Sequence, residues 1–490
     1  MSITRAWIIL GLVTAVTSAT ALVKNKFAAV MLGPEGIGIL AQANVLITFA
    51  GIICTLGMGQ GIVKHLAERT DSDLEGISPR EILTTSASIQ LAVLLSVVTL
   101  IVLFQSVVSE LVFGQRGLNH YVLAAAAAIP ATVASLNLGY FLQGNNLLTR
   151  FSIGSGVNAA LSLAIFVALV LPLGLDGAVL SVAVSAFVSS FVFGLLSIGR
   201  LRAIWIRRVR SIGHMAKASR VLRTLLLFGL VAFFGAALDS LNALILRSWI
   251  VNAAGPAENG MYQAVLSLSG QYIGFFTLFN ATYLLPKMSG MNESDAIVQL
   301  TNSSLRLGFV FLTPVLAVFA IMRSEVILTL FTPAFLGASE LIVWQVLGDF
   351  LKVASWFLTA SLIPMGRLRG YAALVFAFSV INLPLSFGLL YSLGTVGITI
   401  AYFITYLLYF GLVIILQRRA IDFRFSYATL RMMASSAVTI TALTFYPTSS
   451  YPGYIVGAVV LFAWGVHVLW EMRDQIAAFR QRFRVDGASE

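Results

Sequence analysis

Cys54 is the only cysteine in the chain, so no intramolecular disulfide can form and the redox compartment cannot be read. Charge is scarce too: Asp, Glu, Lys and Arg make up 10% of the 490 residues, where globular domains carry about 25%. His65, His120, His214 and His467 are scattered, with no second ligand at metal spacing, so neither a metal nor a cofactor is expected. Phosphate-loop chemistry is missing as well. Gly57-Met-Gly-Gln-Gly61 lacks the following Lys-Ser/Thr and lies in an apolar helix, and Gly154-Ser-Gly156 is helix-packing material rather than a nucleophile turn. The connections Gly33–Glu35, Gly174–Gly177 and Tyr391–Gly394 are too short to hold a catalytic domain outside the membrane. These absences argue against an enzyme.

What the chain has in excess is apolar side chain, 59% of residues with a mean hydropathy of +0.93. Apolar runs longer than about 18 residues recur from end to end, each enough to cross a bilayer. The alternating segments of roughly 10 residues that make an outer-membrane barrel are missing. The fold class expected is therefore an all-α polytopic membrane protein with about 14 transmembrane helices. The spans fall at 6–32, 36–66, 81–113, 119–144, 148–172, 175–199, 221–252, 257–287, 303–332, 340–365, 369–393, 395–417, 427–447 and 452–471. The first resembles a signal peptide, but the apolar run continues past Lys24 and Lys26 without a small-residue cleavage site and reads as a retained helix.

The positive charge alternates with these spans. With Arg5 cytoplasmic, nearly all loop lysines and arginines fall on the same side, leaving Arg116 and Arg323 opposite; both termini are then cytoplasmic. The net charge of +11 thus reflects membrane topology and implies no nucleic-acid partner. A basic connector, 200–220, separates two sets of six helices, 1–199 and 221–417; a further pair at 418–471 and a cytoplasmic tail at 472–490 follow. Trp205, Ile206, Val209, Ile212 and Met215 are interleaved with the connector's arginines, and Ile476, Phe479 and Phe483 with those of the tail. Both segments read either as surfaces lying on anionic lipids or as loops that fix topology.

The two sets carry a sparse repeat. Gly33-Pro34-x-x-x-Gly38 realigns without a gap on Gly255-Pro256-x-x-x-Gly260, and each copy runs through an apolar helix to a lysine, Lys64 or Lys287. Membrane chains built of related halves commonly have a central pathway. Ionisable groups within the spans cost at least about 2.5 kcal/mol each at a helix centre, so each needs a reason. Lys24 and Lys26 in the first helix, and Arg247 in the seventh, sit in outer halves of equivalent helices, and under the repeat Arg247 falls opposite Asn25. A cationic patch there would attract a phosphate or diphosphate; snorkelling of the lysines to headgroups is the alternative. Asp349 and Lys352 share a helix face and either neutralise each other or act in transport. Asp239, with no cation one turn away, is a candidate titrating group or a helix–helix hydrogen-bonding residue. Gln42 and Asn44 in the second helix, with Gln263, Gln271 and Asn280 in the eighth, would make a wet cavity collectively; singly, such residues serve packing.

At Lys26-Phe-Ala-Ala-Val-Met-Leu-Gly-Pro-Glu-Gly-Ile-Gly38, Gly57-Met-Gly-Gln-Gly-Ile-Val-Lys64, Phe279-Asn-Ala-Thr-Tyr-Leu-Leu-Pro-Lys287 and Trp344-Gln-Val-Leu-Gly-Asp-Phe-Leu-Lys352 the chain resembles the Wzx-type polysaccharide-lipid flippases, or O-antigen translocases, of the MOP exporter superfamily. The likeness extends over roughly residues 1–420. It implies a MOP/MATE-like fold of two six-helix bundles in a V with alternating access to a cationic cavity, in the bacterial inner membrane. The implied substrate is an undecaprenyl-diphosphate-linked oligosaccharide, moved from the cytoplasmic to the periplasmic leaflet for O-antigen, lipopolysaccharide or exopolysaccharide assembly. A polysaccharide polymerase and a chain-length regulator would be partners. The substrate-binding set would be Lys24, Lys26, Arg247, Lys352, Gln42 and Asn44, with Asp239 or Asp349 coupling transport to protons, or the membrane potential assisting. Rival readings are a MATE-like multidrug/cation antiporter, which calls for an acidic cavity, and a membrane glycan polymerase or ligase, which calls for a large external loop.

Overall fold

A computed structural model describes residues 3–67, 79–206, 214–291, 293–446 and 451–486. The centre of the basic connector, and the side chains of Trp205, Ile206, Val209, Ile212, Met215, Ile476, Phe479 and Phe483, lie outside that description.

The regular structure is helical. Helix α1 (Ile3–Thr55) is two spans joined at Gly33, whose backbone (φ 64°, ψ −172°) breaks the helix just before Pro34 starts the second arm. Proline suits this place, since the first turn needs no N–H donor. Then come α2 (Met58–Ala67), α3 (Pro79–Leu103), α4 (Gln105–Phe113) and α5 (Asn119–Gly144). Helix α6 (Leu148–Ile206) is again two spans, broken at Gly174 (φ 56°, ψ −127°). Helices α7 (His214–Ala254) and α8 (Pro256–Phe279) meet at Gly255, φ 92°. A π turn at Asn280–Leu284 leads into α9 (Leu285–Ser289). The rest are α10 (Ser294–Ile321), α11 (Arg323–Leu330), α12 (Ala338–Thr359), α13 (Leu368–Leu393), α14 (Thr395–Ile421), α15 (Tyr427–Phe445) and α16 (Tyr451–Asp486).

Among the described residues ten helical stretches are long and apolar enough to cross a membrane. Two of them are the broken helices α1 and α6, each holding two spans. Helices α8 and α15 have the length but are diluted by polar residues, among them Gln263 and Gln271 in α8 and Arg431 in α15. With them the structure has the spans that hydropathy calls for. The expected spans at 81–113 and 303–332 are each interrupted, at Phe104 and Met322.

The glycine turns expose a second repeat that hydropathy misses. Leu173-Gly174-x-x-Gly177 and Leu393-Gly394-x-x-Gly397 make the same turn: both first glycines have positive φ, and a Cβ on the second would overlap the carbonyl of Leu169 or of Leu389. Only glycine lets the chain reverse this tightly between two membrane helices.

The chain divides into two compact units. The first comprises Met1–Gln263 with Leu330–Ala334, the second Ala264–Thr329 with Phe335–Glu490. In the first, Met58, Ile62, Leu66, Ile82, Phe141, Ile204 and Leu225 form one buried cluster and Ile39, Ala43, Val112, Phe113, Tyr121, Val122 and Val179 another. In the second, the final helix pair is integral: Leu443 of α15 packs with Ala317, Ala320 and Ile321 of α10. Asn302 of α10 donates to the Arg424 carbonyl at 3.0 Å and accepts from the Ser426 N–H at 2.8 Å, fixing the entry to α15. Arg431 and Glu471, 2.8 Å apart, tie α15 to α16.

Candidate functional site

Within the first unit, the two glycine–proline motifs pack on each other. A Cβ on Gly38 would overlap the Pro256 carbonyl, and one on Gly260 would overlap the Pro34 carbonyl. The repeat thus meets its own copy, each glycine admitting the backbone of the other; small residues are how membrane helices approach so closely. Arg247 of α7 lies beside this crossing and is 5% exposed. Its guanidinium donates to Asn259 Oδ1 at 3.2 Å and to Gln263 Oε1, and stands 5.6 Å from the centre of the Tyr262 ring. These hydrogen-bond partners are neutral amides, and no ion pair of Arg247 is recorded among the described residues. A buried guanidinium so held has two recorded hydrogen bonds for its five donors, both to neutral acceptors, a setting that suits an arriving anion.

Lys24 and Lys26 are both half-buried. Lys24 turns to α6, donating to Ser162 Oγ at 3.0 Å with its ammonium 4.9 Å from the Phe166 ring centre. It therefore faces a neighbouring helix instead of running out along lipid. Lys26 donates to the carbonyl of Phe331, in the short segment that joins this unit from later in the chain. Gln42 and Asn44 differ. Gln42 is fully buried, donating to the Val112 carbonyl at 2.6 Å, with its own Oε1 unpartnered among the described residues; Asn44 is exposed and bonds back to Leu40 O of its own helix at 3.0 Å. Asp239, read from the sequence as deep in the seventh helix, lies on an exposed face of α7, away from any recorded hydrogen bond among the described residues.

The second unit houses the other charged pair. Asp349 of α12 is fully buried and accepts four hydrogen bonds. Ser269 (2.6 Å) and Tyr272 donate to one oxygen, Tyr402 (2.7 Å) and Gln345 (3.1 Å) to the other. Lys352 is not among these donors. Its ammonium lies 5.0 Å from the ring centre of Trp356 and 5.7 Å from those of Tyr402 and Tyr406, a cation enclosed by aromatic faces. The two charges make no recorded direct contact but lie near enough to attract, as adjoining sites that share Tyr402, its hydroxyl on Asp349 and its ring toward Lys352.

Sequence reasoning missed Asn259, Ser162, Ser269, Tyr402 and Tyr406. Tyr402, Tyr406 and Tyr409 have helical one-face spacing, a signal that was available; nothing local marks Asn259 or Ser162.

Residues 3–292 match the model of a family described as polysaccharide biosynthesis protein. The chain belongs to that family. Lipid III flippases of Escherichia coli (strain K12) and of Shigella flexneri are each 26% identical to it over 438 residues, covering 86% of this chain and all of theirs. Among solved structures, the lipid II flippase MurJ in an inward closed conformation aligns with a TM-score of 0.72 at 15% identity, over 96% of this chain and all of MurJ. An inward-facing multidrug resistance MATE transporter of the MOP superfamily aligns at 0.63 and 14% identity, over 84% of this chain and 94% of that one. The fold is therefore the MOP fold, and the chain is a multi-pass membrane protein.

Proposed function

We propose that this protein is a flippase that carries undecaprenyl-diphosphate-linked oligosaccharide from the cytoplasmic to the periplasmic leaflet of the bacterial inner membrane, for surface polysaccharide assembly. The reading rests on one observation above others: Arg247 is buried, its recorded hydrogen bonds go to neutral amides, and it sits where the two copies of the repeat cross. The full-length match of lipid III flippases supports a lipid-linked substrate. Arg247, Lys24 and Lys26 take the diphosphate, a bidentate guanidinium being matched to phosphate oxygens and the ammonium groups acting as point charges. Gln42 and Asn44 complete the polar set of the first unit, and Lys352 is a further substrate-binding candidate, in the second. The polyprenyl tail stays in lipid.

Both termini are cytoplasmic in this reading, and the substrate is exchanged by alternating access. An inside-negative potential favours outward movement of anionic charge by about 2.3 kcal/mol per charge per 100 mV. Proton coupling falls to Asp239 or Asp349. Asp239 is exposed on its helix, whereas Asp349 is closed in by its four donors. A glycan polymerase and a chain-length regulator would consume the product. A MATE-like antiporter shares the fold, but cationic drugs call for an accessible buried acid, and Asp349 is saturated. The test is surface glycan in cells carrying Lys26→Ala with Arg247→Ala. Export should fall at least tenfold at normal protein levels; unchanged export overturns the binding assignment.

A further inference from the structure

The crossing of the two glycine–proline motifs needs only glycine and a carbonyl from each copy, and at Gly38 and Gly260 it has them symmetrically. The symmetry fails at one neighbouring position. In the first copy the residue before the glycine is Ile37, buried and apolar; in the second it is Asn259, fully buried and polar. Packing alone does not ask for an amide there, as Ile37 demonstrates. The Asn259 amide is used at both ends. Its Nδ2 donates to the carbonyl of Gly38, across the crossing, at 2.8 Å. Its Oδ1 accepts from Arg247 at 3.2 Å. The counterpart of Arg247 in the first copy is Asn25, so both members of this polar link belong to one copy alone.

We infer that Asn259 is a positioning residue that couples occupancy at Arg247 to the closeness of the helix crossing; this rests on the reading of Arg247 as an anion-binding group. While Arg247 donates to Oδ1, the amide is oriented and polarised, and its bond to the Gly38 carbonyl is strengthened. An anionic phosphate is a stronger acceptor for the guanidinium than a neutral amide. When Arg247 turns to it, Oδ1 is left buried without its donor, the orientation of the amide is lost, and the hold on Gly38 weakens. The headgroup loosens the crossing by withdrawing a hydrogen bond, without touching either glycine.

The test places a cysteine at Ile37 in a Cys54→Ser background of the full chain and measures its labelling rate by a small water-soluble thiol reagent in lipid nanodiscs. Without ligand, Asn259→Leu and Arg247→Gln should each raise the rate about fivefold, and the double substitution should raise it no further, as expected for two links of one chain. Effects that add would show Asn259 to be a packing residue independent of Arg247, and an unchanged rate in Asn259→Leu would overturn the proposal outright. Amide hydrogen exchange over residues 34–41, which needs no introduced cysteine, gives the same comparison if the cysteine variant folds poorly. Adding undecaprenyl diphosphate should raise the rate in the otherwise unaltered protein and leave Asn259→Leu unmoved. If the ligand-free pattern holds but the lipid changes nothing, the link stands and the assignment of Arg247 to the diphosphate fails.

Discussion

Arg247, in the first unit, gives its recorded hydrogen bonds to two side-chain amides, whereas Asp349, in the second, receives four, three of them from hydroxyls. Both are buried charges in helices that cross a membrane, and both must be satisfied to be tolerated. They are satisfied to different degrees. A carboxylate with both oxygens doubly bonded gains nothing from a further donor, so Asp349 is closed to ligands unless tyrosine or serine lets go. A guanidinium leaning on neutral amides gains charge compensation from any anion that reaches it. Of two similar-looking anomalies in hydropathy, one is built into its surroundings and the other is the one proposed to bind.

Removing Asp349 should have the largest effect on stability. Asp349→Ala leaves four donors aimed at an empty place beside an uncompensated Lys352, and the loss should be about 3–5 kcal/mol, read as a lowered unfolding midpoint in detergent. If that variant melts like the unsubstituted protein, the network is not structural and the contrast collapses. Gly38→Ala comes next. A methyl group there overlaps the Pro256 carbonyl, so the crossing must spread, at about 1–3 kcal/mol, and Gly260→Ala should do the same by symmetry. Unequal effects would mean that the repeat does not carry the crossing evenly. Lys24→Ala should matter least to the fold, about 1 kcal/mol or less, because it removes one hydrogen bond to Ser162 and an aromatic contact. A larger loss would put Lys24 with Asp349 among the structural charges instead of with Arg247.

The helical membrane class was legible from hydropathy, and the turns at Gly33, Gly174, Gly255 and Gly394 from glycine and proline chemistry, because both are local properties. The breaks at Phe104 and Met322 were not, since neither has a glycine or proline, and the short polar stretches that follow, Gln105-Ser106 and Arg323-Ser324-Glu325, are too brief to end a span by hydropathy. Charged residues in apolar helices drew attention to Arg247, Asp349 and Lys352 before any geometry. Their partners were hidden for a physical reason: Ser269, Asn259 and Ser162 are small polar residues, which membrane helices use everywhere for packing. Direction was also unreadable. Spacing puts Asp349 and Lys352 on one face, yet the side chains diverge, one to hydroxyls and the other to rings, and Asp239 comes to lie on an exposed face of its helix.

The central claim, that Arg247 is held for an anion, is tested most directly by the affinity of the purified protein in nanodiscs for undecaprenyl diphosphate. Three forms should be compared: unsubstituted, Arg247→Gln and Asp349→Asn. The account predicts at least a tenfold weakening for Arg247→Gln, about 1.4 kcal/mol or more, and little change for folded Asp349→Asn. Equal affinity in Arg247→Gln and the unsubstituted protein would contradict it.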